Sequence, residues 1–325
     1  MRALVQPQFG NPSEVLSVQE VPTPEPGPGQ ALVRVLLSPI HNHDLWTVRG
    51  SYGFKPEMPA RAGTELVGVV GALGEGTDGP EIGTRVAIGG AFGAWAEYVL
   101  APAKALIPVP DEMSDEAASQ LVSMPFSAIA LLDFLELSEG DWFVQNAANG
   151  AVGRLLSQLA RARGVHVLGL VRRAAGVDEL REQGIDDVVA TDEDGWQDRV
   201  REIVANAPIV AGVDSVGGAA AGDIVSLLAE DGVLVVFGAM ASPTLEIGSG
   251  DVIFKQVVIK GFWGSKVFGA MSGDKRAGLM GELVSGIASG ALTLPVEKVF
   301  ALEDIADAAR ASGEPGRRGK ILLRP

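Results

Sequence analysis

Hydrophobic and polar positions along the 325-residue chain fall into two textures. Up to about residue 115 the apolar runs are short and punctuated by glycine and proline. Residues 1–5, 31–37, 65–70, 85–88 and 95–100 each read as a strand. Pro26-Gly27-Pro28-Gly29, Gly74-Glu75-Gly76 and Gly89-Gly90 mark turns between them. Short, irregular, glycine-rich strands predict a compact, partly open β-barrel. Near Ser114 the pattern changes. Residues 116–135 carry helix formers at helical spacing, and from Trp142 onward strands and helices alternate. Strands are expected over residues 142–145, 165–171, 187–190, 209–213, 233–237 and 257–261. Helices over 153–163, 177–183, 196–205 and 219–229 separate the first five. This alternation predicts an α/β fold with a doubly wound parallel sheet, whose ligand sits over the carboxyl ends of the strands where their order reverses. The tail reads as a helix (275–289), a strand (296–300), a short helix (302–311) and a last strand (320–323).

Composition narrows the partners. A 47% hydrophobic content suffices for two cored domains. A net charge of −15 argues against nucleic acid or an anionic membrane, and would repel an acidic carrier protein unless a local basic patch docks it. Cysteine is absent, which removes disulfides, thiolate-ligated zinc and a thiol nucleophile. No apolar leader follows Met1. The longest apolar window, 117–135, carries Gln120, Pro125 and Asp133. The expectation is a cytoplasmic protein acting on a small-molecule substrate, with no nucleic-acid or membrane partner.

The stretch 141–153, Asp-Trp-Phe-Val-Gln-Asn-Ala-Ala-Asn-Gly-Ala-Val-Gly, has the order strand, small-residue turn, helix. A helix N-terminus offers unpaired N–H groups and a positive dipole end to a pyrophosphate. The glycine fingerprint reads Ala148-x-Gly150-x-x-Gly153. About 20 residues further on, where an NAD site usually places an acid, stand Arg172 and Arg173, which suit a 2′-phosphate. NADPH is therefore predicted over NADH. Of the three histidines, His166 lies in a predicted strand and reads as structural, while His41-Asn42-His43-Asp44 follows a strand end. His41, His43 and Glu65 could in principle ligate zinc, but nothing supplies a clear third nitrogen or a sulfur, and no metal is expected. Tyr52 lies in a glycine-flanked loop, Arg49-Gly50-Ser51-Tyr52-Gly53-Phe54-Lys55-Pro56, where a phenol can donate a proton to an enolate.

Over essentially its whole length the chain resembles the medium-chain dehydrogenase/reductase superfamily. It is most similar to the zinc-free branch of mitochondrial-type trans-2-enoyl thioester reductases and quinone oxidoreductases. The likeness is carried by Asp44-x₅-Gly50-x-Tyr52-x₃-Pro56 with Glu57-x-Pro59, by residues 145–153, by Val216-Gly217-Gly218, and by Phe254-Lys255 with Gly261-Phe262-Trp263. Zinc-dependent members have Cys-x-[Ser/Thr]-Asp at 41–44 and Gly-His-Glu where this chain has Gly63-Thr64-Glu65. Enoyl reductases usually read Asn-Pro-Ser-Asp at 41–44, so the two histidines depart from the pattern.

The resemblance implies a GroES-like partly open barrel, residues 1–116 and 290–325, and a Rossmann NADPH-binding domain, residues 117–289. It implies cofactor contacts from Asn146, Ala148, Asn149, Gly150, Ala151, Val152, Gly153, Arg172, Arg173, Phe237, Gly238, Phe262 and Trp263. Substrate contacts are expected from His41, Trp95 and Trp263, and a homodimer from the sheet edge at 257–261. The implied reaction is zinc-independent, NADPH-dependent reduction of the C=C bond of a 2-enoyl thioester or related α,β-unsaturated carbonyl. Tyr52 is the expected proton donor, with His43 as its alternative. An NADPH:quinone oxidoreductase is the nearest rival, an NADPH-binding regulatory protein without turnover the next, and a zinc alcohol dehydrogenase the last.

Overall fold

A computed structural model describes residues 1–314 and 316–325, with Ser265 described by its backbone alone. The chain divides into two compact units, Met1–Met124 with Val284–Pro325, and Pro125–Leu283. Its strands are β1 (Arg2–Gln6), β2 (Ser17–Glu20), β3 (Gln30–Pro39), β4 (Ala60–Arg61), β5 (Glu65–Leu73), β6 (Arg85–Gly89), β7 (Tyr98–Pro102) and β8 (Ile107–Pro108) in the first unit. The second unit holds β9 (Trp142–Gln145), β10 (His166–Val171), β11 (Val188–Ala190), β12 (Ile209–Asp214), β13 (Val233–Val236) and β14 (Val258–Gly261). The tail returns to the first unit with β15 (Val296–Ala301) and β16 (Lys320–Arg324).

The first unit is built on a sheet of order β15-β16-β3-β5-β6-β8, with β7 also paired to β3, and on a smaller sheet β2-β1-β4. Long β3 alternates buried and exposed positions, as a strand with one face on a core must. Its end is fixed by the tail: Leu322 pairs with Pro39, and the Ile40 N–H donates to the Ile321 carbonyl at 2.9 Å. One core cluster gathers Leu4, Ile40, Leu45, Val48, Trp95, Ile305 and Ile321 beneath this junction. The tail thus completes the barrel core rather than hanging from it.

Residues 42–49 form a helix, Asn42–Arg49, closed by Gly50 at φ 75°, and one expectation is corrected in this unit. The predicted strand 95–100 starts later, at Tyr98, because Trp95 is turned into the core and its indole N–H donates to the Pro39 carbonyl at 3.1 Å.

The second unit is a parallel sheet of order β11-β10-β9-β12-β13-β14. Its order reverses between β9 and β12, the doubly wound arrangement predicted from the alternation. Its inner strands are short, largely apolar runs buried in a core shared with the neighbouring helices. The helix read over 116–135 is interrupted, with turns at Asp115–Ala118 and the main helix over Ser123–Phe134. No helix among the described residues is long and apolar enough to cross a membrane.

Candidate active site

The barrel unit concentrates polar groups where β3 ends. Asp44, in the first turn of helix Asn42–Arg49, reaches back with Oδ2 to the His41 N–H at 2.9 Å and so fixes the helix start. Its Oδ1 accepts the Thr64 hydroxyl at 2.7 Å, and Thr64 Oγ1 lies 2.9 Å from His43 Nε2. Glu65, at the start of β5, is completely buried. One of its oxygens accepts the N–H groups of Val122 and Ser123 at 2.6 and 2.9 Å, and the other stands 2.6 Å from His41 Nε2. The interruption of helix 116–135 has a cause here: a buried carboxylate takes the free N–H groups at the start of helix Ser123–Phe134.

Burial sets the electrostatics. Desolvation, helped by Lys320 and His43 and opposed by Asp44, holds the His41 imidazole well below the ordinary histidine range. Burial pushes the Glu65 carboxyl up, against the hydrogen bonds from Ser123 and Val122. Lys320, two residues before the β16–β3 pairing, is brought down to about 8 by burial and by Arg317, with Asp44 and Glu65 pulling the other way.

A catalytic zinc needs three protein ligands with a fourth position open. His41 Nε2 is occupied by Glu65, both Glu65 oxygens are taken, and the position that would offer a second imidazole is Thr64, whose hydroxyl is bonded to Asp44. Among the described residues no three histidine, cysteine or acidic side chains converge on one point. These residues do not fit the metal.

Tyr52 lies beyond Gly50, 39% exposed, with its ring centroid 5.9 Å from that of His43. His43 is in turn stacked on His41, 5.0 Å between centroids and 17° between planes. The three rings form a short file leading from the buried Glu65 to solvent. Phe54 and Phe92 pack on each other at 4.7 Å, and both are largely exposed. Phe92 was not legible in the sequence as a site residue, because only the fold brings its loop to the Tyr52 loop.

In the second unit the turn after β9 has the geometry of an anion cradle. Ala147 takes a left-handed φ of 49°, and Gly150 starts helix Ala151–Ala162. A Cβ on Gly153 would lie 2.7 Å from the Ala148 carbonyl oxygen and 2.8 Å from that of Ala147, so this glycine is needed for helix and turn to touch. A Cβ on Gly150 would meet only the Ala147 oxygen, at 3.1 Å, which leaves open space above the turn. Asn149, Ala151 and Val152 line the same partly exposed turn. Arg172 and Arg173 are both exposed at the end of β10. These features fit a phosphorylated dinucleotide: a helix N-terminus for the pyrophosphate and guanidinium groups for a further phosphate.

Several expected contacts are corrected. His41 and Trp95, expected against substrate, are both completely buried and committed to Glu65 and to the Pro39 carbonyl. Trp95 instead supports Gly63, where a Cβ would lie 2.4 Å from its indole, and so sets the start of the Thr64–Glu65 segment. The Asn146 amide is engaged within the fold. It donates to Asp214 at 2.6 Å and accepts the Ser215 N–H at 2.7 Å, tying together the carboxyl ends of β9 and β12 where the strand order reverses. Asp214, which sequence reasoning passed over, also holds the Val216 and Gly217 N–H groups at 3.0 Å. Ala148 is buried under Gly169, and Phe262 is buried among Phe134, Phe237 and Phe268. Phe237 and Gly238 are half-buried after β13, with Gly238 close against Ser215, while Trp263 is 68% exposed.

Comparison with known proteins agrees with both halves. Residues 27–111 match the alcohol dehydrogenase GroES-like domain model, and residues 151–277 the zinc-binding dehydrogenase model. The mitochondrial enoyl-[acyl-carrier-protein] reductase of Arabidopsis thaliana is 31% identical over 330 residues, 99% of this chain and 88% of that protein. Its Homo sapiens counterpart is 30% identical over the same shares. Among solved structures, mycobacterial Rv1454c complexed with NADPH superposes with a TM-score of 0.87 at 29% identity, and the Pseudomonas syringae quinone oxidoreductase with 0.88 at 26%, each over the full length of both chains. With a GroES-like barrel, a Rossmann sheet and relatives of this kind, the chain belongs to the medium-chain dehydrogenase/reductase superfamily, among its enoyl reductases and quinone oxidoreductases.

Proposed function

We propose that this protein is an NADPH-dependent reductase of activated C=C bonds, those of a 2-enoyl thioester or a related α,β-unsaturated carbonyl. The observation that carries the reading is the half-exposed Tyr52 phenol, its ring 5.9 Å from that of His43, together with the direct contact between His41 and Glu65. NADPH, when bound, supplies the hydride that reaches the β-carbon of the substrate. Residues 117–289 hold the cofactor, with the Gly150–Gly153 turn on the pyrophosphate and Arg172 and Arg173 on the 2′-phosphate. Residues 1–116 and 290–325 supply the acid: Tyr52 gives its proton to the α-carbon of the enolate. Trp263, exposed after β14, walls the acyl chain. The enzyme's share is mainly orientation of the reactants.

The relatives named above support this reading and one alternative. Quinones accept hydride without a placed proton donor, so the same framework would serve an NADPH:quinone oxidoreductase. The net charge of −15 disfavours an acidic carrier protein unless a local basic patch docks it. Homodimerisation is proposed through β14, whose residues are all exposed at the end of the sheet order. The test is NADPH oxidation with 2-enoyl-CoAs, simple enones and 1,4-quinones. Turnover of enoyl substrates is expected. Turnover of quinones alone would establish the alternative, and NADPH binding without consumption of any acceptor would make the protein a binding module.

A further inference from the structure

Behind the His43 ring the hydrogen bonds can be followed proton by proton. The Asp44 carboxylate only accepts, taking the His41 N–H on Oδ2 at 2.9 Å and the Thr64 hydroxyl on Oδ1 at 2.7 Å. The single Thr64 proton is thereby used. Its Oγ1, 2.9 Å from His43 Nε2, has only a lone pair left for the ring. Two acceptors do not bond each other, so His43 Nε2 carries a proton. The other ring nitrogen, Nδ1, has no hydrogen-bond partner among the described residues, and the side chain is 23% exposed.

We infer that Asp44 and Thr64 lock His43 in its Nε2–H form, making Nδ1 the atom that returns a proton to Tyr52 in each turnover. The inference rests on the reductive reaction proposed above. In that reaction the substrate gains a hydride on one carbon and the Tyr52 proton on the next. The Tyr52 phenolate then takes the Nδ1 proton of a charged His43, and the neutral ring regains one from water. A phenolate is the stronger base by about three orders of magnitude in water, so the transfer runs downhill. Thr64 and Asp44 are positioning residues in this scheme. They touch neither substrate nor cofactor, and they act by fixing which nitrogen is free.

The charges around the ring support the assignment. Asp44 Oδ1 lies 3.6 Å from Nε2, and the Glu65 carboxyl is also felt by His43. His41 is stacked on it at 5.0 Å and is held well below the ordinary histidine range by burial and by Lys320, and the Tyr52 ring lies 5.9 Å from that of His43.

The test joins a spectroscopic and a kinetic readout. The sequence holds three histidines, so long-range ¹H–¹⁵N correlation spectra assign each tautomer directly. His43 is expected as Nε2–H in the unmodified protein and in Thr64→Ser, and as a mixture of tautomers in Thr64→Val. With an enone substrate, Thr64→Val is expected to lose about tenfold in kcat, the worth of one hydrogen bond. The alkaline limb of its pH profile should move to lower pH, and Thr64→Ser should restore both. An Nδ1–H His43 in the unmodified protein, or a Thr64→Val profile identical to the wild type, overturns the inference. A wild-type protein inactive with every acceptor refutes the reductive reading itself, whereas an active one with an insensitive profile refutes only the role of Thr64.

Discussion

His41 Nε2 and Glu65 Oε2 lie 2.6 Å apart, both side chains fully buried, at two of the positions weighed above as possible zinc ligands. The imidazole meets the carboxylate through Nε2 alone, its buried Nδ1 having no partner among the described residues, and the N–H groups of Val122 and Ser123 complete the carboxylate. The protein purified without added metal should contain less than stoichiometric zinc by elemental analysis and keep its activity in a strong chelator. One zinc per chain would contradict this.

Removing one member of a buried, hydrogen-bonded pair strands the other. Glu65→Ala should therefore destabilise the protein by about 3–5 kcal/mol in denaturant unfolding. A loss under about 1 kcal/mol would mean that His41 finds a new partner at little cost.

The same pair gives stability a sign with pH. Burial depresses the folded-state His41 value below its unfolded value near 6.5, so the unfolded chain binds more protons through this group. Its stabilising contribution is complete above about pH 6.5 and is lost as pH falls through that value toward the folded-state one. Denaturant midpoints between pH 7.5 and 5.5 should fall in the wild type and fall less steeply in His41→Gln. Equal slopes would show that the ring is already charged in the fold.

Much of this fold was legible because burial and period leave marks in sequence. The run 142–145 and the helix after it read correctly because a strand covered on both faces is continuously apolar, while Leu155, Leu156 and Leu159 recur at helical spacing. Contacts that depend on distant partners left no such mark. The start of helix Asn42–Arg49 is polar, and its capping acid and two buried apolar residues, Leu45 and Val48, are too few to declare it. His41 and Trp95 looked like site residues by type and neighbourhood. Their burial depends on Glu65 and on the Pro39 carbonyl, 24 and 56 positions away. Asn146 was found by its motif, yet its work of joining β9 to β12 requires Asp214, 68 positions on.

The two fingerprint glycines should separate in their effects. Gly153→Ala forces a Cβ against two backbone oxygens and is expected to cost about 1–3 kcal/mol of stability. Gly150→Ala meets one oxygen at 3.1 Å and should leave unfolding almost unchanged while weakening NADPH binding. Thermal unfolding and cofactor fluorescence titration, run on both variants, read the two effects apart.

Cofactor choice rests on the exposed pair after β10. Charged hydrogen bonds contribute roughly 1.5–3 kcal/mol each, so Arg172→Ala with Arg173→Ala should cost at least one to two decades in kcat/KM for NADPH and little for NADH. Equal efficiency with both cofactors in the wild type would remove the assignment.

The central claim, that a phenol supplies the proton after hydride addition, is tested most directly by comparing wild type and Tyr52→Phe on two acceptors under saturating NADPH. The account predicts a fall of about 10²–10⁴-fold in kcat for an enoyl thioester with 1,4-quinone reduction nearly unchanged. Parallel losses on both acceptors, or none on either, would contradict it.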